Sequence, residues 1–387
     1  MQDLLAQVAR HWEAGESTAL ATVVQTWHSA PQQPGAALLV GPEGITGSVS
    51  GGCVEGAVYE LAQDVLADGI PQLVRYGVAD EEAFEVGLTC GGVLDVFVER
   101  IDAQTFPALS TVTASVRSLQ PVAVATVIRH PDPSRVGSRI VLDPSSVHGT
   151  LNSARADRAI AEDGRGLLAH GTSSVLHYGP DGERLGTGMD VFVRSFAPPP
   201  RMVVFGAIDF AAAAARMGSF LGYRVTVCDA RPLFATPARF PDADEVVVDW
   251  PHRYIAAERR AGRIDNRTVL IVLTHDEKFD TPLLRLVLDD GWGDRQPAYI
   301  GAMGSRRTHD QRVTNLREAG LAPHQIGRLR SPIGLNLGSR TPEETAVSIA
   351  AEIIAAQCGG DGQPLSTTTG RIHSTTSRAR RAITVSA

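Results

Sequence analysis

The sequence predicts an α/β protein in two parts, an N-terminal α+β domain over residues 1–196 and a Rossmann-like domain with a doubly wound parallel sheet over residues 202–358. Residues 197–201 between them include three consecutive prolines, which neither a helix nor a central strand tolerates, so they predict a stiff linker. The arrangement of apolar residues also differs on the two sides of this linker. That difference indicates two separate cores.

Before the linker, short apolar runs mix with amphipathic helical segments, a pattern typical of α+β domains. One of these segments has a clear apolar stripe that ends at Gly69 and Pro71, which are residues that stop a helix. No internal repeat is evident. The predicted strands are 20–26, 94–98, 122–128, 139–142 and 190–193, and the predicted helices are 2–14, 53–67 and 153–163.

After the linker, short continuous apolar runs alternate with helical segments, which predicts parallel strands covered by helices on both faces. The sequence at 341–344, Thr-Pro-Glu-Glu, is a capping box that predicts the start of a helix. Residues 359–387 contain few large apolar side chains, so we expect a disordered tail there. The predicted strands are 202–205, 225–227, 246–248, 269–273 and 298–300.

Composition and the N-terminal sequence predict a soluble, cytoplasmic protein. The 387 residues are 43% apolar, which suffices for large cores, and no apolar run is long enough to span a membrane. The N-terminus lacks the basic-then-apolar pattern of a signal peptide. A net charge of −7 disfavours general nucleic-acid binding. The four cysteines form no CxxC pair, which disfavours a disulfide framework, a local zinc site and an iron–sulfur centre.

The most informative segment is residues 47–56, Gly-Ser-Val-Ser-Gly-Gly-Cys-Val-Glu-Gly, where a glycine turn leads into a predicted helix. Cys53 is expected in the first helical turn, where unpaired backbone N–H groups and the helix dipole favour thiolate over thiol and can also bind a phosphate. Cys90 has a similar glycine-flanked setting at 88–92. The alternative interpretation is that the glycines only form a turn and that Cys53 is a small buried side chain.

The second domain opens like a Rossmann unit. Gly206 follows the first strand, and Asp229 ends the next one, about 20 residues later, where such units bind the ribose of a dinucleotide. The match is incomplete, because Ile208 replaces the middle glycine that lets a pyrophosphate approach the backbone, and Asp209 adds a negative charge. The fold is therefore expected, whereas ordinary NAD(P) binding is disfavoured and a related phosphate ligand stays open.

Further turns follow later strands of the same domain. Gly301, Gly304 and Ser305 lie where a strand leads into a helix, with Ser305 as the expected N-cap and two arginines after it. Open parallel sheets bind ligands outside the carboxyl ends of their strands, so these turns can form one pocket with Gly206 and Asp229. A structural interpretation exists for each turn, since every helix needs a cap.

Taken together, these motifs resemble the XdhC/CoxI family, which comprises accessory proteins of xanthine dehydrogenase and other molybdenum hydroxylases. The resemblance extends from the first helix to about residue 357, in the order of domains that the family has. The family commonly has Gly-Ala-Gly-His where this chain has Gly-Ala-Ile-Asp at 206–209, so its Rossmann half is used differently or has lost or altered its ligand. The motifs that carry the resemblance are 47–56, 87–92, 205–207, 228–231, 299–305 and 332–344.

The resemblance implies a protein that binds the molybdenum cofactor (molybdopterin), assists its sulfuration by a cysteine desulfurase, and delivers it to an apo molybdenum hydroxylase. It implies a chaperone more than a catalyst with turnover, and we expect a homodimer. Such a carrier needs soft sulfur ligands and phosphate donors. The expected site residues are Cys53, Cys90 and Glu55 for sulfur or proton handling, and Ser50, Gly51, Gly52, Gly206, Asp229, Gly301, Gly304 and Ser305 for cofactor binding.

Two other functions remain open at this point. One is an NAD(P)-dependent oxidoreductase, which the Rossmann-like turn favours and Ile208 disfavours. The other is a scaffold that binds only proteins. Glu55 also has an alternative role, since an acid at a helix start complements the helix dipole. The hydroxylase itself is excluded, because a chain without clustered cysteines lacks the ligands of iron–sulfur centres.

Overall fold

The computed structural model describes residues 2–27, 30, 32–77, 92–274 and 276–369. These residues pack into two units, and the boundary between the units lies between Pro198 and Pro199. The first unit contains two five-stranded antiparallel sheets, and the second contains one six-stranded parallel sheet. The predicted fold class is confirmed. The predicted tail lies outside the described residues from residue 370 onward, and no helix within the described ranges has the length and apolar content needed to cross a membrane.

The first unit consists of two halves with the same order of elements, in which a helix precedes three strands and a second helix precedes two more. The first half contains α1 (Gln2–Glu13), β1 (Thr18–Trp27), β2 (Ala37–Gly41), β3 (Gly44–Gly47), α2 (Glu55–Asp68), β4 (Gln72–Tyr76) and β5 (Val93–Ile101). The second half contains α3 (Leu109–Arg117), β6 (Val122–Arg129), β7 (Arg139–Leu142), β8 (Val147–Thr150), α4 (Ala154–His170), β9 (Ser174–Tyr178) and β10 (Met189–Phe196).

The strands of the two halves also have the same spatial order. The first sheet is β3-β2-β1-β5-β4 and the second is β8-β7-β6-β10-β9, so the unit contains an internal repeat. The last strands share a sequence, since residues 95–98 and 190–193 both read Asp-Val-Phe-Val. The interpretation that the sequence has no repeat is therefore wrong. The sequence hides this repeat, because the similarity lies in short core strands and turns and the connection from β4 to β5 is longer than the one from β9 to β10.

The two sheets pack face to face, and each sheet is covered on its outer face by one helix. Side chains alternate along β1, so that Ala19, Ala21 and Val23 pack beneath α2 whereas Leu20 and Val24 face the other sheet. The second sheet packs beneath α4 in the same way. Equivalent residues of the two halves meet in the middle layer, where one apolar cluster consists of Val24, Phe97, Ile128 and Phe192.

The second unit is a doubly wound sheet with strand order β13-β12-β11-β14-β15-β16, and all its neighbouring strands are parallel. Helices α5 and α10 cover one face, whereas α6, α7 and α8 cover the other. The strands are β11 (Arg201–Phe205), β12 (Arg224–Asp229), β13 (Glu245–Val248), β14 (Val269–Val272), β15 (Tyr299–Ala302) and β16 (Leu329–Arg330). The helices are α5 (Asp209–Phe220), α6 (Pro251–Arg260), α7 (Glu277–Val287), α8 (Arg306–Glu318), α9 (Pro323–Ile326) and α10 (Pro342–Cys358).

The start of α10 follows the capping rules that the sequence suggested. The Thr341 hydroxyl accepts the Glu344 N–H at 3.2 Å, and the Glu344 carboxylate accepts the Thr341 N–H at 3.1 Å. This is the predicted capping box at the start of α10.

Strand order reverses between β11 and β14, and this switch point is where open parallel sheets form a ligand crevice.

The repeat predicts that equivalent phenylalanines have equivalent energetic weight. Phe97→Ala and Phe192→Ala should each lower the free energy of unfolding by about 3–5 kcal/mol, because both rings are buried in the layer between the sheets. Chemical denaturation of the full-length protein measures the change. Phe220→Ala is the control, since that ring is 82% exposed and its loss should change stability by less than about 0.5 kcal/mol. A large loss for only one of the two buried rings would contradict the equivalence.

Candidate functional site

A single carboxylate holds the loop between β3 and α2. The carboxylate of Glu55, the first residue of α2, accepts hydrogen bonds from donor groups of residues 48–52, with donor–acceptor distances of 2.5–3.2 Å. The donors are the hydroxyl groups of Ser48 and Ser50 and the backbone N–H groups of Val49, Ser50, Gly51 and Gly52. The backbone N–H groups of Ser50, Gly51 and Gly52, which were expected to bind an external anion, are therefore bonded to a side chain of the protein itself.

The second half of the first unit repeats this carboxylate cap at the start of α4. Asp157 accepts hydrogen bonds from the Thr150 hydroxyl at 2.8 Å and from the Leu151 N–H at 2.7 Å. The sequence spacing is the same as that of Ser48 and Val49 to Glu55. The cap is therefore a feature of the repeated fold, and Glu55 acts as a polar anchor of its loop.

The two loops differ in where the following helix begins. Helix α4 begins at Ala154, which is equivalent to Gly52, whereas α2 begins only at Glu55. Gly51 and Gly52 have φ angles of +78° and +116°, which a right-handed helix cannot contain. The prediction that Cys53 lies in the first helical turn is therefore wrong, because the glycine pair unwinds that turn. The Cys53 N–H instead donates to the Ser50 hydroxyl at 3.0 Å.

The unwound turn gives Cys53 a defined position beside the helix start. Its side chain is half-buried and packs against the apolar core beneath α2. The equivalent position in the second half holds Arg155, whose side chain is 62% exposed, so the cysteine is a property of the first half alone. Cys90, the second predicted thiol, lies outside the described residues, and its role stays a prediction.

The hydrogen bonds at Glu55 keep its carboxylate ionised. Burial raises the pKa of Glu55, but hydrogen bonds from the Ser50 and Ser48 hydroxyl groups and from backbone N–H groups outweigh burial and lower the pKa to about 2. The carboxylate is thus negatively charged over the whole physiological range. A negative charge close to Cys53 is a fixed part of this site.

The second unit places two predicted residues at the switch point of its sheet. Gly206 has a φ of +107°, and a Cβ atom there would come within 3.1 Å of the Thr274 N atom, so only glycine fits. Asp229 is buried, and it accepts the Ala207 N–H at 2.7 Å. The Arg231 guanidinium binds both oxygens of Asp229, at 2.9 and 2.7 Å. The carboxylate expected at a ribose is therefore already bonded by protein groups.

The charge of Asp229 is stabilised by these contacts. Burial raises the pKa of Asp229, whereas hydrogen bonds from Arg231 and from the Ala207 N–H outweigh burial and leave the pKa below its usual value. Ile208 packs against the core of the same unit at the position where dinucleotide-binding turns have glycine. Ile208 and the bonded Asp229 both disfavour an ordinary dinucleotide at this turn.

The three remaining predicted residues follow or form part of β15. Gly301 lies within the strand, and a Cβ atom there would come within 2.7 Å of the Tyr299 ring, so core packing requires this glycine. Ser305 caps α8, and its hydroxyl accepts the Thr308 N–H at 3.1 Å. With neighbouring strands about 4.8 Å apart, the end of β15 lies about 10 Å from that of β11, so Gly304 and Ser305 lie at the far side of the crevice from Gly206.

A buried polar network at this edge was not predicted. Arg312 and Asp280 form an ion pair at 3.0 Å, with only 5% and 8% of their side chains exposed. Asp280 also accepts the Thr274 hydroxyl, and Arg312 donates to the Met303 carbonyl at 2.9 Å and to the Ser331 hydroxyl at 3.0 Å. The sequence feature that could have predicted this ion pair is a charged residue on the apolar stripe of each helix. Asp280 precedes two buried leucines in α7, and Arg312 precedes the buried Leu316 in α8.

Metal binding by the protein's own side chains has no support in the described ranges. No three His, Cys, Asp or Glu side chains come together there in a group that could hold a metal ion.

Two family models match the chain. The model of the XdhC Rossmann domain matches residues 202–353, and the model of the XdhC and CoxI family matches residues 11–77 and 115–179. These last two segments correspond to the internal repeat, since each runs from the first helix of its half to the glycine after the fourth strand.

Curated relatives and one solved structure resemble the whole chain. A protein of Bacillus subtilis that is named a probable subunit of xanthine dehydrogenase is 26% identical over 345 residues, which are 88% of this chain and 94% of that protein. The molybdenum cofactor insertion chaperone PaoD of Escherichia coli is 25% identical over 345 residues, with 89% and 85% covered. A crystal structure described as a xanthine dehydrogenase from Bacillus halodurans matches with a TM-score of 0.66 at 24% identity, over 95% of this chain and 97% of that chain, and shows the fold alone.

The carboxylate cap predicts a pH-dependent loss of stability on substitution of Glu55. Glu55→Gln should lower the free energy of unfolding by about 1–2 kcal/mol at pH 7, because an amide cannot accept these hydrogen bonds as a charged group does. Since the folded-state pKa is about 2 and the ordinary value is 4.5, the contribution is complete above pH 4.5 and disappears as the pH falls through about 2. Denaturation of the variant and the original protein at pH 7 and pH 3 measures the difference between their free energies of unfolding. A difference that stays constant between these two pH values would contradict the charged cap.

The buried ion pair predicts strong coupling between its two members. Arg312→Met should lower the free energy of unfolding by about 3–5 kcal/mol, because Asp280 then stays buried without its cation. The double variant Asp280→Asn with Arg312→Met should recover part of that loss, since no isolated charge remains. Denaturation of the original protein, of Arg312→Met, of Asp280→Asn and of the double variant measures the coupling, and strictly additive losses would show that the pair does not act as a unit.

Proposed function

The chain belongs to the XdhC and CoxI family, and from this membership we propose that it binds the molybdenum cofactor and inserts it into an apo molybdenum hydroxylase of the xanthine dehydrogenase type. Two relatives support the proposal through their own names, since one is named a probable xanthine dehydrogenase component and the other a molybdenum cofactor insertion chaperone. In this proposal the cofactor is cargo that the protein holds and releases, and no turnover is required.

The observation that carries the proposal is the presentation of Cys53. The glycine pair before it unwinds the first turn of α2, and the Glu55 carboxylate fixes the loop that results. A thiol on a backbone held in this way needs little ordering when it binds a ligand, which favours affinity. Sulfur is also the donor that soft metals prefer, so Cys53 suits a sulfur-ligated metal better than any oxygen donor nearby does.

The phosphate of the cargo needs donors outside the Glu55 loop. The N–H groups of Gly51 and Gly52 are bonded to Glu55, and a second anion there would have to displace a carboxylate with a pKa of about 2. The crevice of the second unit offers anion donors of its own near Gly304 and Ser305, where α8 begins with two exposed arginines. Gly304 and Ser305 therefore stay proposed donors for a phosphate ligand of the second unit.

The finer steps of the proposal concern sulfuration and assembly. A cysteine desulfurase is the proposed partner that supplies sulfur while Cys53 holds the cargo, and the proposed assembly is a homodimer. In this scheme Glu55 is a positioning residue, because its hydrogen bonds act on the loop and its pKa leaves no proton to donate at neutral pH. Cys90 stays a proposed second sulfur ligand.

Cys53→Ser tests the proposal directly. Serine preserves the size of the side chain and removes the soft donor, so the purified variant should retain at least tenfold less molybdopterin after incubation with the cofactor. Retained cofactor is measured by the fluorescence of the oxidised pterin, and activation of an apo-hydroxylase is measured in parallel.

Cys358→Ser is the matched control, because Cys358 is the exposed last residue of α10 and its loss should leave retention unchanged. Equal thermal stability of the two variants would show that any loss at Cys53 is not caused by unfolding. Full retention and full activation by the Cys53 variant would overturn the role assigned to this cysteine.

A further inference from the structure

The first unit contains a largely apolar cavity between the inner faces of its two sheets. Its volume is about 50 Å³, and aliphatic and aromatic side chains form most of its wall. Three charged side chains also line it, and they are Glu99, Arg139 and Arg194. Ionisable groups in an apolar cavity are costly unless each has a partner, so their pairing decides what the cavity can hold.

Two of the three charges neutralise each other. The Arg139 guanidinium bonds to the Glu99 carboxylate at 2.6 Å, and the two side chains are only 8% and 10% exposed. Arg139 also lies over the Phe106 ring, at 4.4 Å from its centroid. Burial raises the pKa of Glu99, and the charge of Arg139 opposes that rise. This pair is satisfied within the protein.

The third charge has no counterion of its own. The Arg194 Nε atom is buried and has no hydrogen-bond partner in the part of the chain that the structure describes. Its contacts are the Phe196 ring at 5.1 Å and the field of Glu99, which Arg139 already neutralises. Burial lowers the pKa of Arg194 to about 10, so the side chain is still positively charged at neutral pH. The cavity therefore has a net charge of about +1.

The internal repeat explains why the cation is unmatched. Glu99 and Arg194 are equivalent residues, since each directly follows the shared Asp-Val-Phe-Val sequence of its half. The partner of Glu99 is Arg139, and the equivalent residue in the first half is Ala37. Each of these two residues is the neighbour, along its own strand, of the residue that pairs with an equivalent alanine on the adjacent strand. The first half therefore supplies one acid and the second half two cations.

A second hollow, with a volume of about 180 Å³, shares wall residues with the first. Leu5 and Phe196 line both hollows, and the second is also lined by Val116, Leu119 and Pro198. A ligand with its anionic end at Arg194 can thus place an apolar chain past Phe196. This combination of one buried cation with an apolar path is typical of sites for amphipathic anions.

We propose that this cavity binds a small amphipathic anion, an alkyl chain that ends in a carboxylate, with the carboxylate bonded to the unpaired Arg194 guanidinium and the chain along Phe196 and Leu5. The site is independent of the proposed cofactor cargo, because it uses neither Cys53 nor the second unit. Binding removes the buried unpaired charge, and it should therefore stabilise the first unit.

Octanoate, octanol and octylammonium test the proposal on the full-length protein, by calorimetric titration and by thermal unfolding. Octanoate should bind at least tenfold more tightly than octanol and should raise the unfolding temperature, whereas octylammonium should not bind, because its charge repels Arg194. Equal affinities for octanoate and octanol would overturn the proposal, and so would the absence of octanoate binding. Stabilisation by chloride that equals the stabilisation by octanoate would also overturn it, since the cavity would then bind only an inorganic counterion.

Arg194→Met assigns the binding to this residue. Methionine keeps an unbranched apolar chain and removes the charge, so octanoate affinity should fall at least tenfold while octanol affinity stays unchanged. Arg155→Met, at an exposed position of α4, is the matched control and should bind octanoate like the original protein. Val124→Phe keeps all three charges but fills the cavity, and it should weaken octanoate and octanol alike. Full octanoate binding by the Arg194 variant would overturn the assignment.

Discussion

An apolar layer between two antiparallel sheets holds the first unit together, and the positions of its other features depend on that layer. Side chains alternate along each strand, so the residues that fill the layer determine which residues face outward beneath α2 and α4. Small residues such as Ala19 and Ala21 let α2 lie close to its sheet. The start of α2, and with it the loop that contains Cys53, is thereby fixed relative to the core.

The two halves of the repeat distinguish the features that both halves share from the features that occur in one half alone. Both halves have a glycine of positive φ in their third strand, Gly47 and Gly149, and both cap the next helix with an acid seven residues after a hydroxyl donor. The glycine pair at 51–52 and the cysteine after it occur only in the first half. Because the acid is shared and the cysteine is not, Glu55 belongs to the scaffold common to both halves, whereas Cys53 is specific to the first half.

Sequence patterns predicted the parallel sheet and the helix caps well, because strand burial and capping depend on neighbouring residues. Short edge strands such as β3 and β8 were not predicted, since four residues carry too little periodicity. The placement of Cys53 was wrong because an apolar stripe marks one face of a helix but not its first residue, and Gly51 and Gly52 delay the start. The pair of Asp280 and Arg312 joins two helices, and no local pattern reports such a contact.

The acceptor at Glu55 also limits how the first unit can bind an anion. A phosphate that took the N–H groups of Gly51 and Gly52 would leave a carboxylate with a pKa of about 2 next to a second negative charge. Separating Glu55 from its donors breaks several charge-assisted hydrogen bonds, and phosphate re-forms them only against the repulsion of Glu55. The loop is therefore better suited to hold a thiol in place than to bind phosphate.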